Sequence, residues 1–72
     1  MFNTQKFLEI MSEILEEEVS DLDFELNEEN WSSISVVSCL AEFDDQFNIL
    51  VNGDALAKCG NVQDVFNLLE SS

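Results

Sequence analysis

The chain has no proline and only two glycines, Gly53 and Gly60, so long helices can run without interruption. Its 72 residues are enough for one domain, and residues 1–72 are taken as a single domain. Apolar residues make up 46% of the chain and include six phenylalanines and one tryptophan, which bury a large area per side chain. A compact helical core is therefore feasible at this length.

A first helix is predicted from about Thr4 to Glu18, with Thr4 as a candidate N-cap. The acidic run from Glu16 to Glu18 lies at its C-terminal end, where the helix dipole disfavours negative charge, so this end is expected to fray. The apolar residues recur at spacings of three and four, which is typical of one helix face: Phe7, Leu8, Ile10, Met11, Ile14 and Leu15.

A second helix is predicted from Ser33 to Phe47, with Ser32 as its N-cap. It is apolar around much of its circumference, which is usual for a central helix. An alternative is that part of this apolar surface stays exposed for a partner. The main stripe is expected to be Ile34, Val37, Leu40, Ala41 and Phe47, widened by Val36, Cys39 and Phe43.

Between these helices, residues 19–31 lose the helical period but keep large apolar groups. We expect a long loop anchored to the core by Leu22, Phe24, Leu26 and Trp31. Loops of this length in a compact domain are uncommon and are often functional. The loop is long enough to return the chain to the start of the first helix, so the second helix is expected to run roughly parallel to it.

The last third of the chain predicts an extended segment, a short helix and a final helix. Residues 48–53 are expected to be extended and buried through their side chains, and Asp54 to Cys59 to form a helical turn ended by Gly60. Asn61 then caps the last helix, with Asp64 placed as in a capping box. The inner face of that helix is expected to be Val62, Val65, Phe66 and Leu69.

The charge balance limits the partners. Sixteen acidic residues face two lysines, giving a net charge of -14. Nucleic acid and anionic membrane surfaces are therefore disfavoured, whereas a protein with a basic patch is attracted. Self-repulsion at this charge costs stability, so added salt or divalent cations are expected to raise the melting temperature. The acids from Glu16 to Asp23 motivate this expectation.

Other functional classes find little support in the composition. There is no histidine, so a Ser-His-Asp triad lacks its base, and we expect a protein that is not an enzyme. Cys39 and Cys59 are too few for a zinc site and are expected to be reduced, partly buried thiols. No apolar run approaches the roughly 20 residues of a membrane span, and no secretory signal is seen. We expect a soluble, cytoplasmic monomer.

Three motifs together resemble the acyl carrier protein family and its peptidyl and aminoacyl carrier relatives. Trp31-Ser32-Ser33-Ile34 is similar to the family's Asp-Ser-Leu, which often follows a tryptophan. The segment from Ala41 to Phe47 resembles the acidic end of the family's second helix. Val62-Gln63-Asp64 resembles the start of its last helix. From Ser33 to Asp64 the comparison needs no gap, and the first thirty residues match in pattern alone.

The resemblance implies a small four-helix bundle with three main helices and a short third one. It also implies a 4′-phosphopantetheine arm on Ser33, added from coenzyme A by a phosphopantetheinyl transferase. The arm's thiol would hold an acyl or aminoacyl group as a thioester, as in fatty acid or polyketide biosynthesis. Acyl-loading and acyl-transferring enzymes with basic patches are the implied partners. The residues expected to contact them are Ser32, Ile34, Val37, Glu42, Asp44 and Asp45.

The chain also departs from the family pattern. Ser32 stands where the family has Asp, which keeps a capping oxygen but loses its charge, and Ser35 and Ser38 replace acidic residues. These changes favour a specialised pathway with its own transferase over a general fatty-acid system. The alternative is a degenerate carrier, a small acidic interaction domain without a covalent cofactor. The sequence does not identify the cargo or the pathway.

Overall fold

The computed structural model describes residues 3–71, and these residues form an all-α fold, as predicted. One isolated antiparallel bridge, between Glu25 and Asn61, is the only β pairing among them. The Cα radius of gyration is 10.6 Å. The four helices are α1 (Thr4–Leu15), α2 (Ser33–Phe47), α3 (Gly53–Ala57) and α4 (Val62–Glu70).

Helix α1 begins at Thr4, as predicted, but its cap is a different residue and it ends earlier than the sequence predicted. The N-cap is Asn3 rather than Thr4, because the Asn3 Oδ1 atom accepts hydrogen bonds from the backbone N–H groups of Gln5 (2.8 Å) and Lys6 (3.2 Å). At the other end, Glu16 adopts a left-handed conformation with φ 56 and its N–H bonds to the Ser12 carbonyl. The predicted extension to Glu18 was therefore wrong. Glu16 is the C-cap, and the rest of the acidic run follows the helix.

Three phenylalanine rings form the centre of the core. Phe7 of α1 stacks on Phe43 of α2 with ring centroids 6.0 Å apart, and it meets Phe66 of α4 edge-on at 5.4 Å. Edge and offset arrangements of this kind are the favourable ones for aromatic pairs. The buried residues are Phe7, Ile10, Met11, Leu15, Val19, Val36, Cys39, Phe43, Leu56, Val62, Val65 and Leu69.

The long loop is anchored as predicted. Leu22, Phe24, Leu26 and Trp31 are each partly buried against the core. Near its start, the Ser12 hydroxyl of α1 accepts a hydrogen bond from the Val19 N–H at 2.9 Å. Farther on, the loop runs beside the start of α4. Three backbone bonds join them: Leu26 N to Gly60 O (3.0 Å), Val62 N to Phe24 O (2.9 Å) and Gln63 N to Leu22 O (2.9 Å).

Helix α2 has the predicted bounds and cap but faces the core with a different side. Val36, Cys39 and Phe43, expected only to widen the stripe, are its buried residues. Of the expected main stripe, Ile34 is 79% exposed and Val37 is 63% exposed. Ala41 is also exposed, and Leu40 and Phe47 are half-buried. The prediction that the main stripe faces the core was therefore wrong. The alternative, that part of the apolar surface of α2 stays exposed, is what the structure shows.

The connection from α2 to α3 also differs from expectation. Leu50 is 81% exposed, so the segment is not buried through all three of its apolar side chains. Helix α3 begins at Gly53 rather than Asp54, because the Asn52 Oδ1 atom caps it by accepting from the N–H groups of Asp54 (2.8 Å) and Ala55 (3.1 Å). The helix ends at Ala57, two residues before the predicted end.

Helix α4 follows the prediction closely. Asn61 is its N-cap, and its Oδ1 atom accepts from the Asp64 N–H at 2.8 Å. The Asp64 carboxylate in turn accepts a hydrogen bond from the N–H of Gly60 at 3.0 Å. In a capping box the donor is the N-cap residue itself, which here is Asn61. Val62, Val65 and Leu69 are buried, and Phe66 packs against them.

Candidate functional site

Ser33 is the first residue of α2, and its side chain is exposed to solvent. Its hydroxyl makes no hydrogen bond to any other residue between positions 3 and 71. Serine is a preferred N-cap residue, and here that role belongs to Ser32. The Ser33 oxygen is therefore free to meet a reagent from solvent, at a helix end whose dipole is positive.

The cap in front of Ser33 is a weak one. The Ser32 Oγ atom accepts from the Ser35 N–H at 3.4 Å, at the limit of hydrogen-bond distance. The Ser35 hydroxyl donates to the carbonyl of Asn30 at 3.1 Å. Ser35 therefore ties the first turn of α2 to the preceding loop.

Two asparagines that the sequence reasoning did not single out shape that loop. The Asn27 Oδ1 atom accepts from the backbone N–H groups of Glu29 (2.9 Å) and Asn30 (3.0 Å). The Asn30 Oδ1 atom in turn accepts from the Asn27 N–H at 2.7 Å. Asparagine commonly closes turns through such side-chain bonds. The pair Asn27 and Asn30, three residues apart before a tryptophan, was the signal that could have indicated this turn.

Trp31 is the anchor that the sequence predicted. Its indole is half-buried, and the Nε1–H group donates to the backbone carbonyl of Leu56 in α3 at 3.1 Å. Its backbone N–H bonds to the Asn27 carbonyl at 2.7 Å. The residue therefore connects the end of the loop to α3 and fixes the chain two residues before Ser33.

A groove of about 390 Å³ lies beside Ser33, between the first half of α2 and helix α3. Helix α3 comes close here, since a methyl group built on Gly53 would be 3.5 Å from the Leu40 Cδ1 atom. Asp54 is the one charged residue in the lining. The lining residues are Trp31, Ser32, Ser33, Val36, Val37, Leu40, Gly53, Asp54 and Ala57.

The other predicted contact residues fall into two groups on α2. Ser32, Ile34 and Val37 lie around its first turns, and all three are exposed. Asp44 lies eleven positions after Ser33, which is about 16 Å along a helix, so the acidic group lies near the far end. Asp44 and Asp45 are exposed there. The fold thus places an apolar half beside the serine and an acidic half away from it.

Glu42 takes a different direction from Asp44 and Asp45. It is half-buried and lines a hollow between α1 and α2 together with Glu13 and Glu16. No group of three acidic or cysteine side chains within residues 3–71 is arranged to hold a metal ion. Stabilisation by salt therefore stays a prediction that rests on screening of the net charge.

The two thiols are free, and neither is activated. Burial, with a smaller contribution from negative charge at Cys59 and Glu42, raises the pKa of Cys39 to about 12. Burial also raises the pKa of Cys59, with Asp64 adding to the effect. Both sulfurs are therefore protonated near neutral pH and are poor nucleophiles. The hydroxyl of Ser33, in contrast, is exposed to solvent.

The surroundings of Ser33 fit a phosphodiester-linked arm. The oxygen is reachable, the start of α2 favours a negative phosphate, and the adjoining groove offers apolar walls for a flexible chain. The Asp54 carboxylate is the one lining group that opposes an anion. No helix within residues 3–71 is long and apolar enough to cross a membrane.

Comparison with known proteins does not assign the chain to a family: no protein-family model matches it, and no curated protein or solved structure matches it either.

Proposed function

We propose that this protein is an acyl carrier protein, which holds an acyl or aminoacyl group as a thioester on a 4′-phosphopantetheine arm attached to Ser33. The observation that carries the proposal is the exposed, unbonded hydroxyl at the first residue of α2, beside an apolar groove. A mobile carrier arm needs an attachment oxygen that enzymes can reach and a backbone around it that is held in a fixed position. The hydrogen bonds of Trp31 and Ser35 supply the second requirement.

The helix order supports the acyl-carrier type of four-helix bundle. Three longer helices and a five-residue α3 are the elements that the resemblance implies. The long loop between α1 and α2 is anchored by four apolar side chains, so it delivers Ser33 at a defined position. The middle of this loop and the start of α4 are joined by backbone hydrogen bonds, which limits the motion of both.

Attachment of the arm requires a single substitution at phosphorus. The Ser33 oxygen forms a bond to the pantetheine-bearing phosphorus of coenzyme A, the bond to the nucleotide bisphosphate breaks, and the serine proton is lost. The arm supplies a thiol, which forms the thioester. The residues of this chain position the oxygen, and a separate phosphopantetheinyl transferase supplies the acid-base chemistry. We therefore propose a carrier that is an enzyme's substrate.

The surface around Ser33 indicates how such enzymes recognise it. Ile34 and Val37 are exposed beside the serine, and Asp44 and Asp45 are exposed farther along the same helix. A partner that fits has an apolar contact near its active site and basic side chains about three turns away. Charged groups of this kind raise the association rate more than the affinity. The neutral first turns favour a dedicated transferase in a specialised pathway.

Intact mass spectrometry tests the proposal directly. Incubation with coenzyme A and a broad-specificity phosphopantetheinyl transferase is expected to add one phosphopantetheine to the wild-type chain. Ser33→Ala is expected to abolish this addition. Ser32→Ala is the matched control, and it is expected to keep the addition because the neighbouring hydroxyl is not the acceptor. Continued labelling of Ser33→Ala would assign the attachment to another residue.

A second candidate function is an acidic interaction domain without the arm. The exposed Ile34 and Val37 favour it, because an apolar pair in solvent is useful to a partner whether or not Ser33 is modified. A chain that stays unmodified with several transferases but binds a basic protein through this pair would support the second candidate. Ile34→Ser is expected to lose that binding, which would show that the exposed pair forms the contact.

A further inference from the structure

One peptide bond of the chain joins an asparagine to a glycine, Asn52–Gly53, at the point where the α2–α3 connection becomes α3. Asn52 is exposed. A glycine on the C-terminal side leaves the peptide nitrogen unhindered, since it has no Cβ. The other six asparagines all precede a residue with a side chain: Thr4, Glu28, Trp31, Ile49, Val62 and Leu68.

The local hydrogen bonding leaves the Gly53 nitrogen available. Gly53 is the first residue of α3, and its N–H makes no hydrogen bond with any residue between positions 3 and 71. Such N–H groups at a helix start have no partner inside the helix. The Asn52 side chain is held by two bonds from its Oδ1 atom, to the N–H groups of Asp54 and Ala55.

Those two bonds are easily lost for short times. Helix α3 has five residues, and helices this short gain little stability from their own hydrogen bonds. Leu56 is its one fully buried side chain. Local opening of such a segment requires much less free energy than global unfolding. When α3 opens, the Asn52 side chain is released and its amide carbon can approach the Gly53 nitrogen.

We propose that Asn52–Gly53 is a site of spontaneous backbone modification by way of a succinimide. The Gly53 nitrogen forms a bond to Cγ of Asn52, the bond from Cγ to Nδ2 breaks, and Nδ2 leaves as ammonia with the proton from Gly53. Water then opens the ring. Cleavage at Cγ gives aspartate, and cleavage at the backbone carbonyl gives isoaspartate. Asparagine is among the thermolabile residues of proteins.

The two products act differently on α3. Aspartate is as good an N-cap as asparagine, so α3 is kept and one negative charge is added. Isoaspartate adds a methylene to the backbone at the capping residue and displaces the capping oxygen. Because α3 forms one wall of the groove beside Ser33 and its Leu56 carbonyl holds Trp31, the change reaches the candidate site.

Two glycine substitutions make a matched pair for the test. Gly53→Ala is tolerated by the fold, because the added methyl would be 3.5 Å from Leu40 Cδ1, an ordinary contact, and no glycine in residues 3–71 has a positive φ. Gly60→Ala is equally tolerated, with its methyl 3.6 Å from an Asp64 carboxylate oxygen. Only the first of these changes places a side chain after an asparagine.

The experiment follows the purified full chain during storage at neutral and mildly alkaline pH. Peptide mapping is expected to find the NH₂-to-OH mass gain and isoaspartate at position 52 in the wild type and in Gly60→Ala. Gly53→Ala is expected to slow both severalfold, and urea is expected to accelerate the wild-type reaction by opening α3. Fluorescence of the single tryptophan is expected to shift as isoaspartate accumulates.

The proposal is overturned by any of three results. The first is an unmodified position 52 in the wild type even in urea. The second is an equal rate in Gly53→Ala and Gly60→Ala. The third is modification that is faster at another asparagine than at Asn52. The test does not involve Ser33, so its outcome is independent of the proposed carrier function.

Discussion

Helices α2 and α4 begin in a similar way, but they differ in the strength of the cap and in the burial of the first apolar side chain. Each has a polar N-cap and an apolar residue within its first turn. In α4 the capping bond from Asn61 is 2.8 Å long and the next residue, Val62, is completely buried. In α2 the capping bond from Ser32 is 3.4 Å long and Ile34 is 79% exposed. The start of α4 serves the core, whereas the start of α2 is left open to solvent.

The contrast teaches that the position of an apolar residue after an N-cap does not determine whether it is buried or exposed. The start of α4 is covered because the long loop runs beside it and bonds to its first residues. No segment between residues 3 and 71 covers Ile34 and Val37 in the same way. Exposure of two apolar side chains lowers stability by removing burial. The four predictions that follow test whether the exposed residues at the start of α2 contribute as little to stability as their exposure indicates.

The largest expected effect is on the buried side of α2. Phe43→Ala removes a ring that contacts both Phe7 and Phe47 and is expected to lower the free energy of unfolding by about 3–5 kcal/mol. Ile34→Ala on the exposed side is the control, and it is expected to stay within about 0.5 kcal/mol of wild type. Urea unfolding curves measure both. Equal losses would show that Ile34 packs in the core.

The next effect is alkaline destabilisation through Cys39, which lies on the buried side of α2. Its pKa rises from an ordinary value of 9.0 to about 12 in the folded chain. The unfolded chain therefore loses this proton first. The contribution to stability is complete below pH 9.0 and is lost as pH rises toward about 12. The expected slope in this window is about 1.4 kcal/mol per pH unit.

Cys39→Ala separates this thiol from other groups that titrate at high pH. The variant is expected to be less stable at neutral pH and to have a flatter dependence between pH 9 and 11. Stability is measured by urea unfolding at each pH. A slope identical to that of the wild type would mean that the buried thiol does not govern the alkaline loss.

A smaller effect is expected at the two caps. Asn61→Ala is expected to cost about 1 kcal/mol, because it removes a short capping bond, and Ser32→Ala about 0.5 kcal/mol, because its bond is long. Thermal melts of the two variants provide the comparison. A larger loss for Ser32→Ala would contradict the inferred weakness of the α2 cap.

The smallest effect on stability is expected for the double variant Ile34→Ser, Val37→Ser. Both side chains are exposed, so the free energy of unfolding should change by about 0.5 kcal/mol or less. The rate of modification by a transferase should nevertheless fall. Leu50→Ser removes an equally exposed apolar side chain outside α2 and should leave that rate unchanged. A stability loss above that range would mean that the pair supports the fold.

Much of the helical architecture could be predicted from the sequence. Ser32 and Phe47 bound α2 as expected, and the inner face of α4 is the predicted one. The end of α1 could not be predicted, because the chain turns through a left-handed glutamate where a glycine is the usual signal. The start of α3 was misplaced for a different reason: Asn52 was not considered as its cap.

The candidate site was predictable in part. Ser33 lies at a helix start, and Trp31 anchors the loop, as the motif indicated. The turn at Asn27 and Asn30 was missed although the asparagine pair is a signal for it. The bond from Ser35 to the loop could not be predicted, because it depends on where the Asn30 carbonyl lies. The assignment to the acyl-carrier type and the arm on Ser33 stay proposals for the mass measurement to decide.

The amino-acid order alone determined which residues share a helix side, because the period of 3.6 residues places them there. It also determined that the loop would be held, since four large apolar groups do not remain in water. Only the tertiary structure decided which side of α2 faces solvent. That helix is apolar around much of its circumference, so its neighbours decided the matter: Phe7 of α1 packs on the side with Phe43, and Ile34 and Val37 stay exposed beside the serine.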